Sequence, residues 1–267
     1  MPNDKQRDVW SAEDVVESWV WSEPISDYGT APIMAFLRLS AGERVLDIAC
    51  GGGKTTVVAA QAVGPSGHVT GVDISDGMVA LAKTRIAEAG LHNVELTQGD
   101  AQVDDFPSAP FDAVLSQFGI MFFDDPIAAL TNIRRQLKPG ARAAFITWQP
   151  IQRMKWHPVH IIAKYLAPPN EVGTDTKEQK GSWSDAAFAK RVLSSVGFSD
   201  IQVEEYNVNA YVPAETDIPA STLVCAVEAK HRDAVLREWH KTRARLTNRS
   251  VMQLDLMMNL ITAHVPQ

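Results

Sequence analysis

Cysteine is scarce: Cys50 and Cys225 are the two in 267 residues. Two thiols make no disulfide framework, so a reducing compartment, the cytoplasm, is expected. Positive charge is short as well. The net charge is −7 and no basic tract offsets it. The electrostatic footprint of a phosphate-backbone binder is therefore missing, and no nucleic-acid partner is expected. Long apolar runs are missing too: none reaches the ~18–20 residues that a membrane span needs. The opening Met-Pro-Asn-Asp-Lys lacks the charged-then-apolar order of a secretory signal. There is no internal repeat and no low-complexity tract. What remains is a 45% hydrophobic chain, rich enough for a real core. Its length suits one large α/β domain, or one domain with a subdomain.

The rest is organised around residues 44–56, Arg-Val-Leu-Asp-Ile-Ala-Cys-Gly-Gly-Gly-Lys-Thr-Thr. Val45, Leu46 and Ile48 read as a buried strand, Cys50 to Gly53 as a tight turn, and Thr55 to Ala62 as a helix. Such a turn lets backbone approach a ligand, with the first helical N–H groups aimed at it. A P-loop would need glycine where Ile48 stands. A dinucleotide fingerprint would need a third glycine where Thr56 stands. Asp47, four residues before Gly51, suits a ligand carrying an ammonium and a sulfonium, and it would repel a pyrophosphate. The pattern Asp-x-Ala-Cys-Gly-x-Gly resembles motif I of class I S-adenosylmethionine-dependent methyltransferases.

Four more strands follow, two of them with a helix after them. His68 to Ser75 reads as strand two, with Asp73 placed to accept from both ribose hydroxyls of a nucleoside. Asp76 to Ala89 reads as a helix, in which Met78 is either core or a neighbour of an adenine. Asn93 to Gln98 is strand three, and Asp100 just past it can accept from an exocyclic amine. Phe111 to Gln117 is strand four, Asp125 to Leu137 a helix opened by Pro126, and Ala143 to Trp148 strand five. The alternation argues for a parallel sheet covered on both faces.

Residues 42–148 resemble a class I methyltransferase domain near the ubiquinone/menaquinone-biosynthesis type. Gly-Glu-Arg-Val-Leu-Asp, Gly-Val-Asp-Ile-Ser, Gly-Asp-Ala-Gln, Phe-Asp-Ala-Val and Leu-Lys-Pro-Gly-Ala-Arg stand in family order. Ser-Gln-Phe-Gly-Ile-Met-Phe-Phe resembles a subgroup that usually has Arg in place of Gln117. The resemblance implies a doubly wound, seven-stranded, mostly parallel Rossmann-like sheet whose last strand runs antiparallel between strands five and six. It implies S-adenosyl-L-methionine as cofactor and S-adenosyl-L-homocysteine as product. Asp47, Gly51 and Gly53 would hold the methionine part, Asp73 the ribose, and Asp100-Ala101 would frame the adenine; Ala49, Ile74, Met78 and Gly99 are further cofactor-binding candidates. Gln117 and Phe118 would lie near the methionine end.

Residues 1–40 read as an N-terminal helical lid, 41–150 as the cofactor-binding core, and 151–267 as an acceptor-pocket insertion completing the same domain. In the lid, Ser11 reads as an N-cap with Asp14 three residues on, and Pro24 and Pro32 as breaks. Its aromatics, Trp10, Trp19, Trp21 and Tyr28, can attract a cation; Trp19 and Tyr28 are the cofactor candidates. The insertion after strand five carries Pro150, Pro158, Pro168, Pro169 and Gly173. His157 is the first choice for a catalytic base there and His160 the second, against two ordinary lid histidines. His-x-x-His without clustered partners makes a metal unexpected.

Trp183 to Ser195 reads as a helix, Ile201 to Val208 as strand six, and Leu256 to Val265 as the last strand. Val227 to Leu246 reads as an amphipathic helix with His231, Arg232, Arg237, Lys241, Arg243 and Arg245 toward water. The expected function is methyl transfer to an O, C or N nucleophile of a small molecule, such as a quinone-like or secondary-metabolite acceptor. Self-association is compatible with it. Rival readings are a non-catalytic adenosylmethionine-binding protein, a nicotinamide oxidoreductase, an amino-methyltransferase of nucleic acids and a pericyclic catalyst. The third lacks its Asn/Asp-Pro-Pro-aromatic run after strand four.

Overall fold

The computed structural model describes residues 3–106, 108–165, 182–216 and 227–267. Cys225, Pro168, Pro169, Gly173 and the side chain of Asp14 lie outside the described residues. Eight strands form one sheet: β1 (Arg44–Ile48), β2 (His68–Asp73), β3 (Val94–Gln98), β4 (Phe111–Gln117), β5 (Leu137–Trp148), β6 (Ser199–Pro213), β7 (Thr247–Asn248) and β8 (Val251–His264). The order is β3-β2-β1-β4-β5-β8-β6, with β7 paired to β8. Strands β1 to β5 are mutually parallel, and β8 runs antiparallel between β5 and β6. Helical segments connect β1 to β2, β2 to β3 and β4 to β5, while turns and loop alone join β3 to β4; helical crossovers of this kind produce parallel neighbours.

The helices are α1 (Asp4–Trp10), α2 (Glu13–Ser26), α3 (Thr30–Leu37), α4 (Lys54–Val63), α5 (Asp76–Glu88), α6 (Pro126–Arg135), α7 (Val159–Ile162), α8 (Ala186–Ser195) and α9 (Arg232–Leu246). Two buried clusters lie about the sheet. One joins Ile33 and Leu37 of α3, Ala59 and Val63 of α4, and Val235 and Trp239 of α9 to Val45, Val69 and Leu115. The other joins Leu130 and Ile133 of α6 and Phe188 and Leu193 of α8 to Leu46, Val114 and Phe145. Strand order reverses between β1 and β4, so a crevice opens at the carboxyl ends of these two strands.

Several boundaries differ from the sequence reading. Ser11 closes α1; Ala12 caps α2 with its backbone alone, and the Ser11 hydroxyl is buried without a partner. Pro24 sits inside α2, two residues before its end, where the lost N–H affects only the last turn. Pro32 lies in the first turn of α3. Helix α6 stops at Arg135, and Leu137 already pairs with Phe111, so β5 begins before the Lys-Pro-Gly turn. Trp183 precedes α8, which Asp185 caps by accepting from the Ala187 N–H. Strands β6 and β8 are longer than expected because they pair along nearly their whole length. On α9, Arg232, Arg237, Lys241 and Arg245 are exposed, but His231 and Arg243 are half-buried. Arg243 donates to the Ala214 carbonyl at 2.6 Å.

Candidate functional site

The site is a cavity of about 360 Å³ over the carboxyl ends of β1, β2, β4 and β5, bounded on the other side by α1 and α2. The glycine turn after β1 forms its floor. Gly51 and Gly53 have φ of +53° and +81°, a region that suits glycine. A Cβ on Gly52 would lie 2.8 Å from Leu81 and 2.9 Å from Trp19, so α2 and α5 close directly over bare backbone. Ala49 and Phe118 also have positive φ, 54° and 59°, one just past β1 and the other just past β4. A side chain in that conformation costs on the order of 1 kcal/mol, and such strain gathers at ligand sites. The two strand ends nearly touch: a Cβ on Gly119 would fall 2.3 Å from that of Ala49.

Two strand-end carboxylates face the cavity. Asp73, at the end of β2, accepts from the Gly51 N–H at 2.8 Å and the Ser75 N–H at 2.9 Å. Burial raises its pKa above the ordinary value, and these backbone donors oppose the rise. Each of its oxygens keeps a free lone pair for a ligand hydroxyl. Asp100, just past β3, accepts on Oδ1 from Asn3 Nδ2 and the Gln102 N–H, both at 2.9 Å. Its Oδ2 is buried and has no partner, and such an atom is costly unless something donates to it.

The third strand-end carboxylate is elsewhere. Asp47 is fully buried behind the turn, off the cavity wall, and its Oδ2 accepts from the hydroxyls of Thr55 (2.7 Å) and Thr56 (2.6 Å). Burial pushes its pKa up to about 7 against those two donors, and nearby Asp73 adds to the rise. Asp47 thus buttresses the start of α4 and is not a direct ligand of anything in the cavity. Gly53 is off the wall as well, pressed against Ala82. So is Tyr28, whose hydroxyl exchanges hydrogen bonds with the Tyr211 backbone.

The other candidates from the cofactor half, Ala49, Gly51, Ile74, Met78, Gly99, Ala101, Gln117, Phe118 and Trp19, stand on the wall. Gln117 ties α2 and α3 to β4: it donates to the Ser26 carbonyl at 2.8 Å and accepts from Thr30 at 2.9 Å.

Sequence reasoning missed an ionic cluster on the wall. Lys54, the residue after the glycines, pairs with Glu23 at 3.0 Å and Asp27 at 2.7 Å on and just past α2. Arg85 of α5 pairs with Glu23 at 2.8 Å and donates to the Gly52 carbonyl at 2.6 Å. Lys54 was legible only as the lysine of a rejected P-loop, and nothing local marks Glu23 as its partner. Asn3 was missed too. It is buried, has φ of 61°, and bridges Asp100 to Asp124.

The opposite end is apolar. Phe118 and Trp148 stack at 4.1 Å, and Ile25, Met121, Met154 and Trp156 continue the wall. His157 stands on it, half-buried, with its pKa lowered to about 4 by burial and by neighbouring His160. His160 is exposed and off the wall; its Nε2 lies 3.2 Å from the Met154 carbonyl. Among the described residues no group of three or more His, Cys, Asp or Glu could hold a metal, and no helix is long and apolar enough to cross a membrane.

Residues 45–140 match the methyltransferase domain family. The match covers about a third of the chain. A demethylmenaquinone methyltransferase of Listeria monocytogenes serotype 4a is 41% identical over 118 residues, 44% of this chain and 50% of that protein. The aklanonic acid methyltransferase DauC of a Streptomyces species is 41% identical over 104 residues, 39% of this chain and 47% of that protein. The chain thus spans about half the length of the curated relatives it matches. Phosphoethanolamine N-methyltransferase 2 of Haemonchus contortus, solved with S-adenosylhomocysteine, shares the fold at a TM-score of 0.56 and 20% identity. That likeness covers 90% of this chain and 53% of the other. The matched residues carry β1 to β4, the glycine turn, Asp73 and Asp100; the aromatic end draws on residues beyond them.

Proposed function

We propose that the chain transfers the methyl group of S-adenosyl-L-methionine to an O, C or N nucleophile of a small molecule and releases S-adenosyl-L-homocysteine. One observation carries this reading. A methyltransferase domain presents two buried carboxylates to one cavity, and Asp100 Oδ2 lacks the donor that an adenine amine would supply. The fit extends along the wall. Asp73 has lone pairs left for two ribose hydroxyls, while Met78 and Ile74 flank the space beside it. The bare turn and the Lys54, Glu23 and Asp27 cluster suit a zwitterionic amino-acid end, since each charge has an opposite in reach.

The cofactor, when bound, supplies an electrophilic sulfonium methyl. The chain's own part is then to hold, align and dry the reactants. Asp73 and Asp100 fix the nucleoside. The N-terminal helices serve as a lid, fastened by Gln117, Lys54 and Asn3. Residues 151–165 complete the acceptor end with Met154, Trp156 and His157. The relatives are named for acting on demethylmenaquinone and aklanonic acid, and an aromatic wall is consistent with an acceptor of similar flatness. Asp47 lies off the wall and so would not itself repel a dinucleotide's pyrophosphate; NADH is therefore the informative control ligand.

Calorimetric titration tests the reading. One-to-one binding of S-adenosyl-L-homocysteine is expected, together with no fluorescence response to NADH and gain of one methyl by a member of a small-molecule panel. NADH binding in place of the adenosyl ligand would overturn it.

A further inference from the structure

We propose that His157 donates a hydrogen bond from Nε2 to the acceptor and is not its base, and that the aromatic end takes a flat, unsaturated acceptor with a hydrogen-bond-accepting oxygen on its rim. The inference rests on the methyl-transfer reading and adds the acceptor's chemistry to it.

The argument begins with α7. Val159 is its first residue, and the first N–H groups of a helix have no partner within it. Pro158 contributes no N–H at all. The Val159 N–H turns back to His157 Nδ1 at 3.2 Å. A neutral imidazole has one lone pair and one N–H. With the lone pair of Nδ1 taken, the proton sits on Nε2. The opposite tautomer would aim two hydrogens at each other. The ring is neutral at physiological pH, because burial and His160 hold its pKa near 4. A base at Nε2 would therefore need both a tautomer change and a lost capping bond.

The neighbouring donors are already committed. Trp156 Nε1 donates to the Asp255 carbonyl at 2.8 Å, and Gln117 Nε2 to the Ser26 carbonyl at 2.8 Å. The Ser22 and Ser26 hydroxyls donate to the Trp19 and Glu23 carbonyls. Among the described residues none accepts from His157 Nε2, on a residue of the cavity wall. A donor left over in an apolar, aromatic enclosure selects an oxygen acceptor on an otherwise apolar ligand, since either group would be costly there alone.

The reaction follows in balance. The acceptor arrives with its acidic proton already lost to solvent, as a phenolate or a vinylogous carboxylate. Its electron pair forms the new bond to the methyl carbon, and the carbon–sulfur pair returns to sulfur as the neutral thioether leaves. His157 holds the rim oxygen in place and exchanges no proton.

Two measurements test this. Long-range proton–nitrogen spectra of the ligand-free chain, with the His157 signal assigned by its loss in His157→Gln, should show the proton on Nε2; a proton on Nδ1 overturns the proposal. Equilibrium dialysis with saturating S-adenosyl-L-homocysteine then compares 2-hydroxy-1,4-naphthoquinone, flat and acidic, with naphthalene, flat and without oxygen. His157→Leu should weaken the hydroxynaphthoquinone about tenfold and leave naphthalene unchanged. His157→Gln, a donor but not a base, should recover all but about threefold of that loss. Equal weakness of the Gln and Leu variants overturns the proposal, and so does a wild-type chain with no preference for the oxygenated probe. Failure to bind S-adenosyl-L-homocysteine in calorimetry would instead defeat the underlying methyl-transfer reading.

Discussion

The two ends of the cavity are made of different materials. At the nucleoside end, carboxylates and backbone N–H groups sit at strand ends, where the sheet itself fixes their positions: Asp73 closes β2 and Asp100 follows β3. At the acceptor end, the wall is ring against ring and thioether, contributed by a loop, a short helix and strand ends far apart in sequence. A ligand common to many reactions can be read by the conserved geometry of a sheet edge. A ligand peculiar to one reaction is read where the chain is free to vary.

The comparison breaks most visibly at Asp73. Asp73→Ala should weaken S-adenosyl-L-homocysteine about a hundredfold in calorimetry, from two lost hydrogen bonds to a charged group. Binding of a flat probe at the aromatic end should stay within about twofold if the two ends are independent. A parallel loss at both ends would show them to be one coupled site. Glu23→Ala sits on the seam between the sheet edge and the N-terminal helices. It leaves Arg85 and Lys54 facing each other without the buried carboxylate that joins them. The expected cost is about 2 kcal/mol of stability, read as a fall of about 5 °C in Tm. An unchanged Tm would mean that α2 is held by its apolar face and by Gln117 alone.

The same contrast explains what the sequence could and could not convey. Strand-end residues follow from local pattern: alternating elements fix the sheet, and the sheet fixes Asp73 and Asp100. Asp47 shows the limit, because strand-end position says nothing about which way a side chain turns. In β1 it turns inward, onto Thr55 and Thr56. Lys54 with Glu23 and Asp27, and Asn3 with Asp100, are contacts between segments distant in sequence and carry no local signal. The antiparallel β8 between β5 and β6 was expected only from the resemblance. His157 was picked out by its place after β5, but its role depends on a hydrogen at Val159 that no spacing reveals.

Acidity separates the two ends most sharply, because their titrating groups act in opposite senses. Asp47 has a folded-state pKa near 7, far above the ordinary carboxylate value, through burial. The folded chain therefore keeps a proton that the unfolded chain has lost, so this group's contribution to stability falls as pH climbs from the carboxylate range to about 7. Asp73, also raised, has the same sign. His157 is the reverse. Its folded-state pKa near 4 lies below the ordinary 6.5, so the unfolded chain binds the extra proton, and stability rises with pH across that window. Between about pH 4 and 6.5 the slopes of Asp47 and His157 oppose each other, with Asp73 on the side of Asp47. Asp47→Asn removes one of the two raised carboxylates and leaves Asp73, so its Tm should climb with pH relative to the wild type. His157→Gln removes the opposing group, so its Tm should fall with pH relative to the wild type. Differential scanning fluorimetry of the ligand-free chain across that range resolves both. Equal pH profiles for the two variants would show that neither group titrates as its burial dictates. Opposite slopes relative to the wild type would mean that burying the Asp47 carboxyl behind the glycine turn costs the fold stability as that group ionises toward neutral pH.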